Sequence, residues 1–490
     1  MKRLLGGGML AAVLVAAACT DSGHGLDCTD FGDGVSTCLE RAQADADGGK
    51  DGDAPIDVPP GCDLAKSVND SPACVHDDVG VFVSPTGDDA GDGTKATPVR
   101  SIRRGLELAA SRQRPRVYVC EGTYGDAVEI TAPIAIISEL SCAWSAGGGK
   151  ATVAPPAGVA LRVTDVGGPV LLEGLAFVGS ADPTKLGDSA IAAFVSGAGN
   201  VTFRNTDLTA SDGVAGAVGE GRLNYNVPAK DGIGAASGAG AVTCACLDGI
   251  TSSTGGKGGA IGSGGDPGSA TPAVGGINAG LGGATCTVGT VGANGSASAG
   301  GDAGSRPGDL AGGGWLAAND GSGGGNGSPG QGGGGGGGRN GVTAGGGGAC
   351  GGCGGAGGTP GASGGSSFAL LSFQSTITVD GGVLKTGNAG AGGEGGPGQD
   401  GQGGGTGGVG ACDGGRGGSG AGGSGGGGGG GGHSVPVAFV GTEPRITNAT
   451  LTPGTEGSGG EGGKAGAGPG TAGNAGAKGA AGKAQRTLAL

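Results

Sequence analysis

Histidine is scarce in this sequence, and its few copies are not clustered. Only three occur in 490 residues, and His24, His76 and His433 lie far apart along the chain. Histidine is the side chain that most often shuttles protons or binds metals near neutral pH. The apolar pattern described below also brings no two carboxylates together as a glycosidase pair. The sequence therefore favours a non-enzymatic protein, although an enzymatic activity remains open.

Positive charge and long apolar runs are scarce as well. The chain has 28 Lys and Arg against 42 Asp and Glu, a formal net charge of −14. We expect no charge-driven binding to nucleic acid or to anionic lipid. Beyond the N-terminal segment, no apolar run is long enough to span a bilayer. The apolar positions lack a 3.6-residue period, which excludes helical solenoids.

The N-terminus predicts export and anchoring. A basic start and an apolar stretch through Ala18 are typical of a secretory signal, which we place at residues 1–18. The segment Val15-Ala16-Ala17-Ala18-Cys19 resembles the lipobox of bacterial lipoproteins. That resemblance implies acylation of Cys19 and anchoring in the outer membrane, on the periplasmic or the cell-surface face. The alternative is an ordinary signal peptide followed by a structural cysteine.

The cysteine count fits an oxidising compartment. Thirteen cysteines are present, and assigning Cys19 to the lipid leaves an even number for disulfides. Proximity suggests three local pairs, Cys28 with Cys38, Cys62 with Cys74, and Cys120 with Cys142. The other six lie in glycine-rich segments and are Cys244, Cys246, Cys286, Cys350, Cys353 and Cys412. Cys350 and Cys353 could form half of a zinc site, but no histidine lies near them, so we favour disulfides here too.

A short apolar frame recurs four times with identical spacing. Its copies are Leu161, Val163, Val170, Leu172, Gly174, Phe177; Ala192, Phe194, Val201, Phe203, Asn205, Leu208; Phe368, Leu370, Ile377, Val379, Gly381, Leu384; and Val435, Val437, Pro444, Ile446, Asn448, Leu451. Alternating apolar positions indicate strands with one buried face. The fixed Gly or Asn fits a tight turn that requires positive φ.

Each copy of the frame is interpreted as one coil of a solenoid that must stack on its neighbours. We therefore predict an all-β fold, a right-handed parallel β-helix with one N-terminal capping helix; a β-sandwich is the alternative. The inserts would all leave from one corner of the coils. The predicted segments are an acidic tether 19–77, β-helix 78–211, glycine-rich insertion 212–366, coil 367–386, glycine-rich insertion 387–433, coil 434–453 and glycine-rich tail 454–490.

A resemblance supports this fold. The stretch Val83-Ser84-Pro85-Thr86-Gly87-Asp88, the later Thr97-Pro98 and the sequence Glu121-Gly122-Thr123-Tyr124 occur in order. Residues 80–145 resemble the N-terminal module of unknown function found in bacterial proteins with a pectin-lyase-like β-helix. The resemblance implies the fold and no particular activity. Thr97 as N-cap and Pro98 as first residue predict a helix over 98–112.

Glycine dominates the inserts, at 133 residues of the whole chain. In composition alone they resemble PE/PGRS-like glycine-rich proteins. Glycine often recurs every third residue, which is the period of an extended polyproline-II-type helix, and the chain has too little proline for collagen. The phased tracts predict polyglycine-II-like packing. The pure runs 332–338 and 425–432 predict flexibility, because ordering glycine costs much conformational entropy.

Few other residues are candidates for chemistry. Asp88, Asp89 and Asp92 form a candidate calcium site, with a solvated turn as the alternative, and no other cofactor is expected. The outward positions Glu173, Arg204, Asp380 and Thr447 mix charges and form no acidic cluster. The leading hypothesis is a lipid-anchored envelope scaffold or adhesion protein with a glycine-rich edge. The alternatives are a carbohydrate-binding or carbohydrate-cleaving β-helix, with envelope or matrix polysaccharide as partner, and a crystal- or ice-binding surface.

Overall fold

The computed structural model describes residues 27–31, 35–39, 58–237, 239–273, 280, 282–305, 308–311 and 313–490. The chain divides into two compact units, residues 1–55 and 56–490. In the first unit, strands β1 (Asp27–Phe31) and β2 (Val35–Leu39) form an antiparallel pair in which Cys28 and Cys38 are register partners. The predicted signal peptide and Cys19 lie outside the described residues.

Three parallel sheets form the scaffold of the second unit. Sheet 1 contains β3 (Gly80–Val83), β4 (Arg116–Cys120), β7 (Ile134–Leu140), β10 (Pro169–Glu173), β13 (Asn200–Arg204), β21 (Ile377–Asp380) and β24 (Arg445–Thr447). Sheet 2 contains β5 (Gly122–Tyr124), β8 (Ala151–Val153), β11 (Leu175–Gly179), β14 (Asp207–Ala210), β22 (Val383–Thr386) and β25 (Thr450–Thr452). Sheet 3 contains β6 (Val128–Ile130), β9 (Leu161–Thr164), β12 (Ala190–Ser196), β20 (Ser367–Phe373), β23 (Ser434–Val440) and β26 (Thr487–Ala489).

The chain visits the three sheets in turn, and every strand pair within them is parallel. This arrangement confirms the predicted all-β fold of the parallel β-helix type. The other described elements are the helix α1 (Ile102–Ser111), two 3₁₀ turns (Pro72–Cys74 and Ala235–Ser237), an antiparallel trio β15 (Val242–Ala245), β16 (Ser252–Gly255) and β17 (Ser269–Thr271), and a hairpin of β18 (Asp309–Ala311) and β19 (Gly314–Leu316).

The recurring frame stacks in register through sheets 1 and 2. Phe177 pairs with Leu208, Leu208 with Leu384, and Leu384 with Leu451, and all but the last are fully buried. The predicted turn residues have positive φ: 67° at Gly174, 46° at Asn205, 79° at Gly381 and 55° at Asn448. These four residues mark the same corner on successive coils, as the spacing predicted.

In sheet 3 the second copy is out of the aligned register against both of its neighbours, since Leu161 pairs with Ala193 and Phe368 pairs with Ile191 instead of Ala192. Ala193 and Val195 pair with Leu161 and Val163, whereas the alignment used Ala192 and Phe194 for these positions. The prediction failed because all seven residues of β12 are buried. A strand buried on both faces shows no alternation from which its register can be read.

The outer face of sheet 3 carries a second apolar cluster. Ile191, Phe194, Phe368 and Val435 pack there with Leu310 of the β18–β19 hairpin. Trp315 of the same hairpin lies edge-on to Phe368, with ring centroids 4.6 Å apart. The glycine-rich insertion therefore folds back and covers one face of the scaffold that supports it.

The N-terminal cap differs from the prediction in two places. Helix α1 starts at Ile102, and its N-cap is Ser101, whose hydroxyl accepts the Arg104 amide; Thr97 instead hydrogen-bonds Asp92. Residues 58–77 are also not a solvated tether, because Val68 and other apolar side chains of this segment pack against sheet 1. The folded part therefore starts before residue 78.

Candidate functional site: the glycine-rich arm and its foot

All inserts leave the scaffold between sheet 2 and sheet 3, as the shared corner predicted. They connect β11 to β12, β14 to β20, β22 to β23, and β25 to β26. The last three comprise residues 211–366, 387–433 and 453–486 and are called the arm below. The starts of these three segments are tied side by side. The Asp212 carboxylate accepts the Asn388 amide at 2.7 Å, and the Asn388 side chain accepts the Thr455 amide at 3.0 Å.

The arm is an ordered bundle of extended glycine-rich segments. Backbone hydrogen bonds between segments recur every third residue, for example from Gly426, Gly429 and Gly432 to the segment 390–396 at 2.9 to 3.0 Å. This repeat is that of a polyproline-II-type helix, which has three residues per turn and no internal hydrogen bonds. Its amides are satisfied only by neighbouring segments, so the bundle forms as a whole. The polyglycine-II reading of the phased tracts thus describes the structure.

One segment lies at the centre of the bundle. Residues 414–432 exchange backbone hydrogen bonds with six surrounding segments, which are 289–304, 319–334, 346–364, 390–408, 457–466 and 471–480. Because a three-residue turn presents each residue to a different side, a fully surrounded stretch leaves little room for side chains: the run 425–432 is glycine throughout, whereas Ser424, Ala421, Ser419 and the exposed Arg416 lie nearer the start of the segment. At about 3.1 Å per residue, this central segment is roughly 55–60 Å long.

The predicted flexibility of the pure glycine runs is therefore wrong. Residues 332–338 and 425–432 are buried throughout. A methyl group placed on Gly429 would overlap the carbonyl oxygen of Ala362 in the adjoining segment. Outer segments meet neighbours on fewer sides and need glycine only every third residue. Glycine at every third residue therefore marks an outer segment, and a continuous glycine run marks an enclosed stretch.

Five disulfides form among the cysteines of the second unit, and they include two of the three predicted local pairs. The pair Cys28 with Cys38 stays a prediction. Cys62–Cys74 and Cys120–Cys142 close local loops of the scaffold. The arm is cross-linked by Cys244–Cys350, Cys246–Cys353 and Cys286–Cys412, whose partners are 106, 107 and 126 residues apart. Cys350 and Cys353 are thus disulfide partners of Cys244 and Cys246 and are not available to zinc.

Exposed apolar side chains are concentrated on the inserts. Among the described residues, Val383 is the one exposed large apolar side chain that lies on a strand of the three sheets. Four turns, 260–263, 283–286, 339–343 and 410–413, meet at the far end of the arm, where Cys286 is bonded to Cys412. At this end, called the tip, Ile261, Val342 and Val409 are 59%, 61% and 75% exposed.

A cleft of about 400 Å³ lies where the arm meets the scaffold. Its lining combines the partly exposed Trp315 with Val159 and Ile191 and with the charged residues Arg162, Asp182, Lys185 and Asp188. Lys185 pairs with Asp182 at 3.5 Å, and the Arg162 guanidinium lies 5.5 Å from the centre of the Phe194 ring. The sequence did not predict this cleft, because its residues come from segments more than 120 positions apart.

The outward positions of sheet 1 pair on successive strands as the sequence alignment predicted, but they have a structural role. These positions are Glu173, Arg204, Asp380 and Thr447. Glu173 is buried and accepts a hydrogen bond from Arg204 at 3.0 Å; burial raises the pKa of Glu173, and the Arg204 charge opposes that rise. Asp380 accepts hydrogen bonds from Asn448 and Thr447, each at 3.0 Å, which lower its pKa. Each carboxylate is already paired, and the two are not arranged to act together on a substrate.

The acidic loop does not bring its three carboxylates to one point. Asp89 accepts hydrogen bonds from the amides of Arg100 and Ser101, Asp88 accepts the Ala90 amide, and Asp92 accepts from the Thr94 amide and hydroxyl. Burial acts to raise the pKa of Asp89, but the bonds from Ser101 prevail and lower it. Within the described ranges, no group of three or more His, Cys, Asp or Glu could hold a metal ion. These contacts fit a capped turn before α1.

None of the described helices has the length and apolar character needed to cross a membrane.

No curated protein and no solved structure matches the chain. Residues 85–158 match a family described as a protein of unknown function, DUF1565, which is associated with the parallel β-helix. Over the N-terminal part of its scaffold, the chain is therefore similar to DUF1565.

Proposed function

We propose that this protein is a non-enzymatic, lipid-anchored scaffold of the bacterial cell envelope that uses its glycine-rich arm for adhesion. The observation that carries the proposal is the enclosed glycine run 425–432 of the central segment, because it makes the arm a rigid projection. A flexible spacer would need neither buried glycine runs nor three long-range disulfides. The lipobox resemblance at Cys19 supports anchoring in the outer membrane.

The tip is the natural contact surface in this proposal. Exposed apolar side chains away from the core are typical of interaction sites. We expect that replacing Ile261, Val342 and Val409 together by serine lowers attachment of protein-displaying cells to matrix-coated surfaces severalfold. The measurement is a cell-attachment assay at matched surface expression.

Val383→Ser is the matched control, because Val383 is exposed on the scaffold. It should attach like the wild type. Equal attachment by the tip variant and the wild type would contradict the tip assignment. In the same cells, Cys19→Ser should release the protein from the membrane fraction; unchanged fractionation would contradict the lipid anchor.

The second candidate is carbohydrate binding, which the Trp315 cleft favours. An aromatic ring can stack on the C–H face of a sugar, while charged side chains around it can hydrogen-bond hydroxyl groups. We expect that combining Arg162→Gln with Lys185→Gln weakens binding to a retained polysaccharide at least tenfold. The measurement is binding to a polysaccharide panel, with parallel detection of unsaturated cleavage products.

Lys478→Gln is the control for this double variant, since Lys478 is an exposed lysine of the arm that also pairs with a carboxylate. If no polysaccharide binds the wild type, the carbohydrate candidate fails and the adhesion proposal is unaffected. Product formation would instead contradict the non-enzymatic assignment.

A further inference from the structure

One edge of the arm leaves the three-residue phase of the bundle. The Thr359 amide donates to the Glu220 carbonyl at 2.9 Å. The Cys350 amide donates to the Lys230 carbonyl at 3.1 Å. Nine residues on one segment therefore lie opposite ten on the other, so the longer one bows outward. The bowed stretch 222–229 contains no glycine, unlike the regular parts of the arm.

Two glutamine side chains replace the backbone bonds that the bowed stretch no longer makes. The Gln399 side chain accepts the Ala356 amide at 2.9 Å and donates to the Leu223 carbonyl. Gln402 makes the equivalent pair of bonds one turn away, at 3.0 and 3.1 Å. The bow therefore leaves the amides behind it paired, as buried polar groups require.

A cleft of about 240 Å³, called the flank cleft, lies beside the bow. Its apolar lining comes from Tyr225 of the bow and Leu247 of the β15–β16 turn, and the backbone of residues 354–357 also lines it. The Tyr225 hydroxyl donates to the Gly354 carbonyl at 3.1 Å, which holds the ring in place. Leu247 is 74% exposed. Exposed apolar side chains beside a concave surface are typical of interaction sites.

The backbone that lines the flank cleft carries unpaired groups. Among the described residues, none accepts the Gly354 amide and none donates to the Gly357 carbonyl. The Gly354 amide repeats the phase of Gly345 and Gly348, which donate to segment 255–259 at 2.9 and 2.8 Å. The cleft therefore continues a track that an extended segment of the arm occupies closer to the tip.

We propose that the flank cleft binds an extended glycine-rich peptide segment of another protein. In polyproline-II conformation, the peptide continues the track of residues 255–259 and pairs its backbone with Gly354 and Gly357. The peptide needs glycine at every third residue, because a methyl group on Gly255 or Gly258 of the existing track would overlap a carbonyl oxygen of the neighbouring backbone. The apolar lining of the cleft covers the outer side of the peptide.

The test is fluorescence anisotropy of the full chain with a labelled peptide of four Gly-Gly-Ser repeats. The wild type should bind this peptide and should not bind a peptide of four Ala-Ala-Ser repeats. Combining Tyr225→Ala with Leu247→Ser should weaken binding at least tenfold. The matched control combines Val288→Ser with Val291→Ser, two exposed apolar residues of the arm that do not line the cleft. No binding by the wild type, or equal weakening by both double variants, would overturn the proposal.

Hydrogen exchange of the wild type tests the backbone pairing without any variant. Adding the Gly-Gly-Ser peptide should slow exchange of residues 353–357 severalfold, while residues 345–348, whose track is already occupied, keep their rate. Protection elsewhere on the arm without protection of 353–357 would exclude the cleft. Self-association of the protein without peptide, lost in the cleft variant, would assign the cleft to a second copy and overturn the proposal.

This inference does not rest on the proposed adhesion through the tip. Residue 354 lies roughly 35 Å from the tip along its segment, at about 3.1 Å per residue. The serine variant of Ile261, Val342 and Val409 should therefore bind the Gly-Gly-Ser peptide like the wild type. Loss of cell attachment and loss of peptide binding can thus be told apart.

Discussion

Replacing Gly429 by alanine should lower the free energy of unfolding of the arm by about 3 kcal/mol or more. Gly429 lies in the enclosed central segment, and an added methyl group would overlap the backbone of Ala362. The obstacle is a backbone carbonyl that accepts the Gly393 amide, so relief requires two segments to separate. Urea unfolding, together with limited proteolysis of the arm, measures the effect.

Gly323→Ala is the matched control within the same bundle. Gly323 is exposed, and the nearest atom to an added methyl group is the Gly358 oxygen at 3.7 Å. Here alanine should leave stability unchanged or raise it by about 0.4–1 kcal/mol, because it restricts the unfolded chain. Similar losses in both variants would contradict the enclosed packing of residues 425–432.

Removing the Cys286–Cys412 disulfide should cost about 5 kcal/mol, the second large effect expected. Its partners are 126 residues apart, and the loop-closure entropy that a cross-link removes from the unfolded chain grows with loop length. Replacing both cysteines by alanine avoids an unpaired thiol. The expected result is a lower urea midpoint together with faster proteolysis at the tip.

The scaffold disulfide Cys62–Cys74 provides the comparison. Its partners are only 12 residues apart, so the same double replacement should cost about 3 kcal/mol. If loss of the short-loop bond destabilises the protein more than loss of the long-loop bond, the tip disulfide is not an entropic constraint on the arm.

The sequence predicted the scaffold well because one buried face per strand leaves a period of two. The corner residues could also be identified, since Gly174, Asn205, Gly381 and Asn448 occupy turns that require positive φ. Prediction failed at β12, where the hairpin carrying Trp315 covers the second face. It also failed at residues 58–77, where the apolar side chains are interspersed with three aspartates and three prolines.

The candidate site was predicted only in part. The shared corner placed the inserts side by side, but the cleft around Trp315 depends on how the β18–β19 hairpin folds back. The acidic loop had the right residue types for calcium. In the structure, Asp89 and Asp92 instead accept hydrogen bonds from backbone amides and hydroxyl groups of residues 94–101.

The sequence by itself determined the coil, its corner and the period-three phase of the glycine tracts. These features depend on short-range periodicity, which a linear chain displays directly. Only the tertiary structure decided that the pure glycine runs are the most enclosed parts of the arm. In an isolated chain, the missing side chain of glycine gives the backbone conformational freedom. In the bundle, that same absence lets the surrounding backbones approach closely enough to fix it.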